Sequence, residues 1–156
     1  MSKNNSRCEI SFYHLSKYPI VKALPKLLEK ALQSDKRCLV LCNNLEEMAE
    51  LNEILWTYSS RAFLPHGSSE DPHPELQPVL LSVDGANLNS ASILVVLSET
   101  VPDSCDQYEK CLDLFYDNNS KMSARTKKRH DFYISAGYKL NYWTQSDDGS
   151  WDSARS

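Results

Sequence analysis

Glycine is scarce in this chain. Only Gly67, Gly85, Gly137 and Gly149 occur among 156 residues. No two lie close enough to form a G-x-G-x-x-G turn or a Walker-type loop, so the usual glycine-rich phosphate cradles are excluded. Long apolar runs are missing as well. A run such as Ile93 to Leu97 has the length of a strand, far below the roughly 18 residues of a membrane-spanning helix. Cysteine occurs five times, at Cys8, Cys38, Cys42, Cys105 and Cys111, an odd number with no C-x-x-C. With a polar N-terminus that predicts no signal peptide, these read as free thiols of a cytoplasmic protein. The net charge of −4 does not mark a general nucleic-acid binder.

What is present is ordinary globular material, 41% hydrophobic and 24% charged. The length suits one domain, expected over residues 1–145 with a short tail at 146–156. Cys8 to Leu15 reads as a first strand. Val21, Leu24, Leu27, Leu28, Ala31 and Leu32 follow at helical spacing; Pro25 either kinks that helix or begins its regular part. Arg37 to Cys42 reads as a strand buried on both faces. A second helix is expected from Asn43, with Asn43 and Glu46 as a capping box and Leu45, Met48, Ala49, Leu55 and Trp56 facing inward.

Further along, Arg61 to Leu64 is a short candidate strand and His66 to Pro78 a surface loop. Strands are expected at Val79 to Val83, Ile93 to Leu97 and Lys110 to Tyr116. A helix over Ser120 to Ala136 closes at Gly137. Tyr138 to Gln145 alternates like an edge strand, and Asp147 to Gly149 predicts a turn that returns Trp151 as a hairpin. The alternation of strands and helices predicts an α/β class: a Rossmann-like three-layer domain with a mainly parallel sheet flanked by helices.

Chemical constellations are sparse. The first strand exits through His14 to Lys17 without glycine, which weakens a nucleotide-binding enzyme reading. His66 and His73, with Glu70 and Asp71, fall in a loop with no regular element to hold zinc ligands. Four cysteines sit in strand patterns. Cys105, in a polar stretch, is the one exposed candidate nucleophile. No catalytic residue, cofactor or metal is predicted.

Two features stand out. Lys121, Arg125, Lys127, Lys128 and Arg129 cluster within nine positions of an otherwise acidic chain. On the last helix Ser123, Lys127, His130 and Asp131 share an outward face, with Lys128 beside it, while Met122, Thr126, Tyr133 and Ala136 point to the core. Such a face can receive an acidic peptide ending in an apolar residue. It can also receive single-stranded DNA, though without a stacking platform. The second feature is Trp56, followed by Phe63, Pro65 and His66. Its rings either complete the core or form a docking patch.

In order and spacing, several segments resemble one family, the chi subunit of bacterial DNA polymerase III. They are Phe12-Tyr13-His14-Leu15, Ala23 to Leu32, the Leu55-Trp56 helix end, Phe63-Leu64-Pro65-His66-Gly67, Pro78 to Leu81, Asp113-Leu114-Phe115, Ala136-Gly137-Tyr138 and Tyr142-Trp143. The ending from Trp143 to Trp151 resembles alphaproteobacterial members. The resemblance implies a non-catalytic adaptor in DNA replication that joins the clamp-loader complex to single-stranded DNA-binding protein. Any direct DNA contact is then weak or indirect. By position, Trp56 and Phe63, adjoined by Pro65 and His66, match the side that meets the psi subunit or an alternative helicase partner. Ser123, Lys127, Lys128, His130 and Asp131 fall at the site for the acidic, phenylalanine-ended tail of single-stranded DNA-binding protein. Lys127 matches a family arginine. His130 replaces a family aromatic and Asp131 a family lysine, removing an aromatic wall and reversing a charge. Arg125, Lys128 and Arg129 are the neighbours available to compensate.

Overall fold

A strand buried on both faces has no polar side, and β2 (Cys38–Leu41) is buried at all four positions. The computed structural model describes residues 8–15, 20–42, 44–57, 66–68, 72–97, 105–116, 124–145 and 151–154. Its other strands are β1 (Glu9–Leu15), β3 (Gly67–Ser68), β4 (Val79–Ser82), β5 (Ile93–Val96), β6 (Lys110–Tyr116), β7 (Lys139–Gln145) and β8 (Trp151–Ala154). The helices are α1 (Ile20–Gln33), α2 (Leu45–Thr57) and α3 (Ala124–Ser135), with a 3-10 turn at Pro74–Leu76.

The strands form one sheet in the order β3-β4-β2-β5-β6-β1-β7-β8. β3 to β4, β4 to β2, β2 to β5, β5 to β6, β6 to β1 and β1 to β7 are parallel pairs; β7 and β8 are antiparallel. Strand alternation then divides the core. Leu24, Leu28, Met48, Leu51 and Leu55 of α1 and α2 pack with Val40, Leu81, Val95 and Leu114 on one face. Tyr133 of α3 packs with Ile10, Phe12, Leu39, Leu80 and Leu94 on the other. This is the three-layer, mainly parallel α/β arrangement expected.

Local details depart from the sequence reading. α1 starts at Ile20 and runs through Pro25, so its regular part does not begin there. The cap of α2 is Asn44, whose Oδ1 accepts the Glu47 N–H at 2.8 Å; Asn43 lies outside the described residues. The buried line of α2 is Met48, Leu51 and Leu55. Leu45, Ala49 and Trp56, expected inward, lie about 100° around the helix from it and are exposed.

β7 is flanked by β1 and β8, so β8 is the edge that β7 was expected to be. The supposed loop at His66 to Pro78 contains β3, which pairs with β4, and the 3-10 turn. The candidate strand Arg61 to Leu64 lies outside the described residues.

The C-termini of α1 and α3, on opposite faces of the sheet, are both closed by Schellman geometry. At α3, Tyr138 N–H bonds to Tyr133 O at 3.1 Å and Gly137 N–H to Ile134 O at 3.0 Å. Gly137 has φ +84°, the left-handed conformation that glycine adopts without a Cβ clash. At α1, Lys36 N–H reaches Ala31 O and Asp35 N–H reaches Leu32 O, both at 3.0 Å. There the left-handed residue is Asp35, with φ 58°.

Candidate functional site: the outer face of the last helix

α3 is held on the sheet by a buried ion pair. Asp113 of β6 is fully buried, and Arg129 is 4% exposed. Arg129 Nε and Nη2 donate to the two carboxylate oxygens of Asp113, each at 2.8 Å. Tyr133 Oη donates to the same carboxylate at 3.1 Å and lies 3.8 Å from Cys111 Sγ. Burial pushes the Asp113 carboxyl above its ordinary range, against the pull of Arg129 and Tyr133. Asp113 in turn holds the Arg129 guanidinium up against its own burial.

Arg129 therefore leaves the basic patch, contrary to the sequence reading. Its 100° step per residue turns it inward from Lys127 and Lys128. Those two lysines are exposed. Ser123 and Lys121 lie outside the described residues, as does the side chain of Arg125.

His130 and Asp131 share the face of Lys127, as expected. Asp131 is exposed, with its Oδ1 4.0 Å from His130 Nδ1. His130 is only 20% exposed, because it packs into an aromatic group. Its ring centroid lies 5.2 Å from that of Phe12 and 5.7 Å from that of Tyr142. Phe12 and Tyr142 are register partners on β1 and β7, with nearly parallel rings 5.7 Å apart. His130 Nε2 and Tyr142 Oη share a hydrogen bond. His130 thus presents a flat ring, braced by two others.

The sequence reading missed Asp113, Tyr142 and Ile134 as parts of this region. Asp113 had a signal, since an acid within the apolar run Cys111 to Tyr116 needs a buried partner. Tyr142 had none, because only strand register brings it beneath α3. Ile134 is 53% exposed, one turn beyond His130 on the Lys127 face.

A second surface lies on the opposite layer. Trp56 is 55% exposed at the end of α2, so its ring does not complete the core. Its ring packs against His66 at 4.9 Å between centroids. His66 is buried and donates from Nε2 to the Asn52 carbonyl at 3.2 Å. Phe63 and Pro65 lie outside the described residues. His73 turns instead to Glu75, Nδ1 to Oε2 at 3.3 Å. Among the described residues no cluster of His, Cys, Asp and Glu is built to hold a metal ion.

All five cysteines are free and buried. Cys105 is fully buried, not exposed as its polar surroundings predicted. Its N–H donates to Tyr138 Oη at 3.1 Å. Hydrogen bonds from Cys111 and Cys8 lower this thiol, while burial raises Cys38 and Cys42 to about 12. Among the described helices none is long and apolar enough to cross a membrane.

Comparison with known proteins gives the chain a family context. The profile of the family "DNA polymerase III chi subunit, HolC" matches residues 8–141. The chain is 29% identical to the probable DNA polymerase III subunit chi of Rickettsia prowazekii, over 92% of this chain and 90% of that protein. It is 27% identical to DNA polymerase III subunit chi of Pseudomonas aeruginosa, over 74% of this chain and 79% of that one. For the subunit chi of Escherichia coli the identity is 26%, over 70% and 74%.

Proposed function

Because the chain belongs to the DNA polymerase III chi subunit family, we propose that it is a non-catalytic adaptor of the replicative polymerase. In this reading it works in the cytoplasm without a cofactor and links the clamp-loader complex to single-stranded DNA-binding protein. The outer face of α3 takes the acidic, phenylalanine-ended tail of that protein. The α2 surface around Trp56 and His66, with Phe63 and Pro65, takes a psi subunit or an alternative helicase partner.

The observation that carries the tail reading is the pairing of exposed Lys127 and Lys128 with the half-buried His130–Tyr142 rings. Lysines give an acidic chain its charge-assisted contacts, and rings give its terminal side chain somewhere to leave water. Asp131 works against this, as an exposed carboxylate on the same face.

Titration of an acidic, phenylalanine-ended peptide tests the reading. Lys127→Glu with Lys128→Glu abolishes measurable binding. Asp131→Lys strengthens it several-fold, and binding to the native chain weakens as salt rises because the contacts are solvent-exposed. Equal affinity of the native chain and the double lysine variant would sink the reading.

A further inference from the structure

A buried cysteine is usually inert packing. Three of the five here share one place. Cys8, Cys105 and Cys111 are each fully buried and belong to the core between the sheet and α3. Cys8 directly precedes β1, and parallel register sets Cys111 of β6 opposite Ile10, two residues beyond Cys8. Cys8 and Cys111 are therefore diagonal neighbours on one face, roughly 7–8 Å apart between Cα atoms, outside the usual span of a disulfide. Cys105 comes in from the turn before β6 and hydrogen-bonds to both thiols. Cys38 and Cys42 lie on the other face, at the two ends of β2, roughly 13 Å apart along the strand.

The cover over Cys105 is thin. Its carbonyl accepts the Tyr108 N–H at 3.0 Å to close a turn, and the next two residues, Asp106 and Gln107, are exposed. Hydrogen bonds from Cys111 and Cys8 hold the Cys105 thiol below its ordinary range despite burial, which favours the reactive thiolate. The cluster is also tied to the end of α3. Cys111 Sγ lies 3.8 Å from Tyr133 Oη. Tyr138 Oη accepts the Cys105 N–H at 3.1 Å and donates to Asp106 Oδ1 at 3.0 Å. A disulfide needs its sulfurs about 2.05 Å apart, so closing one draws Cys105 out of this arrangement.

We propose that Cys8, Cys105 and Cys111 form a peroxide-sensitive thiol switch, in which Cys105 closes a disulfide with one flanking thiol and the other remains to reopen it. The sulfur of Cys105 attacks one peroxide oxygen. The O–O bond breaks, Cys105 becomes a sulfenic acid, and the departing hydroxide leaves as water with the thiol proton. The flanking sulfur then attacks Cys105, its S–O bond breaks, and a second water leaves with the second thiol proton. Two thiols thus give up two electrons and two hydrogens, and one peroxide is reduced to two waters. Tyr133 and Tyr138 carry the change to the seat of α3.

The test treats the folded, full chain with hydrogen peroxide, alkylates the remaining thiols in denaturant, and maps the pairs by trypsin and mass spectrometry. Cleavage after Arg7, Lys110 and Lys121, among other sites, leaves Cys8, Cys105 and Cys111 in separate peptides. The native chain should lose two of its five thiols. Cys105 should be joined to Cys8 or Cys111, Cys38 and Cys42 should be alkylated, and dithiothreitol should restore every thiol. Cys8→Ser and Cys111→Ser should each still form a disulfide, and Cys105→Ser should keep all its remaining thiols. The map of the native chain decides the matter even where a variant fails to fold. A disulfide that lacks Cys105 overturns the switch. So does a native chain that keeps all five thiols at a peroxide dose that oxidises its methionines. The tyrosine band of the near-ultraviolet circular dichroism should change on oxidation and return on reduction. A disulfide at Cys105 with an unchanged band overturns the link to α3 and leaves the thiol pair standing.

Discussion

Asp113 and Arg129 bury two opposite charges in a bidentate contact with both oxygen–nitrogen distances at 2.8 Å. Desolvation offsets most of the attraction in such a pair, so its net contribution to stability is small. Breaking it is another matter, because the surviving charge is left uncompensated. We expect Arg129→Met to destabilise the fold by about 3–5 kcal/mol. Adding Asp113→Leu to that variant should recover much of the loss, since no uncompensated charge is then left buried. Urea melts of the single and double variants check this. A double variant no more stable than Arg129→Met would mean that Tyr133 and Cys111, also bonded around the carboxylate, need the acid itself. The pair also fixes the rotation of α3, and through it which cations face outward.

Capping governs the elements more than helix propensity does. Asn44 satisfies the Glu47 N–H, and the two C-terminal Schellman turns satisfy the last carbonyls of α1 and α3. Gly137 suits its turn, whereas Asp35 at φ 58° is an L-residue in a conformation that costs it energy. Asp35→Gly should stabilise the protein by about 0.5–1 kcal/mol, measured as a shift in the urea midpoint at unchanged slope. A loss of stability would show that the Asp35 side chain has a compensating partner. Element order was readable from the sequence because strand runs and helical stripes have different periods. The inward face of α2 was not. Two apolar lines run down that helix, and only packing on the sheet decides that Met48, Leu51 and Leu55 go in while Leu45 and Trp56 stay out. For α3 the outward Lys127 face was legible from spacing alone. The sequence separation between β1, β7 and the helix hid the Phe12–Tyr142–His130 group, which exists only through strand register.

At the scale of the molecule the sheet separates two unlike surfaces. α2 exposes Trp56 beside Glu46, Glu50 and Glu53 on one layer, and α3 exposes Lys127 and Lys128 on the other. A net charge of −4 describes neither. Between the layers the sheet is buried, and its thiols make that burial measurable. Cys38 and Cys42 are raised from 9.0 to about 12, with burial the main cause. An acid that is harder to ionise in the folded state holds its proton there while the unfolded chain gives it up. Stability from these two groups is therefore complete below pH 9 and is lost as pH climbs from 9 to 12. Each thiol should cost about 1.4 kcal/mol per pH unit across that window. Denaturant melts between pH 8 and 12 should show that decline. In Cys38→Val with Cys42→Val the decline should flatten, because the variant has no proton to lose at either site. An equal slope in the variant would mean that water reaches the Cys38 and Cys42 sulfurs in the folded state, and that β2 and the residue after it are less sealed than their burial implies.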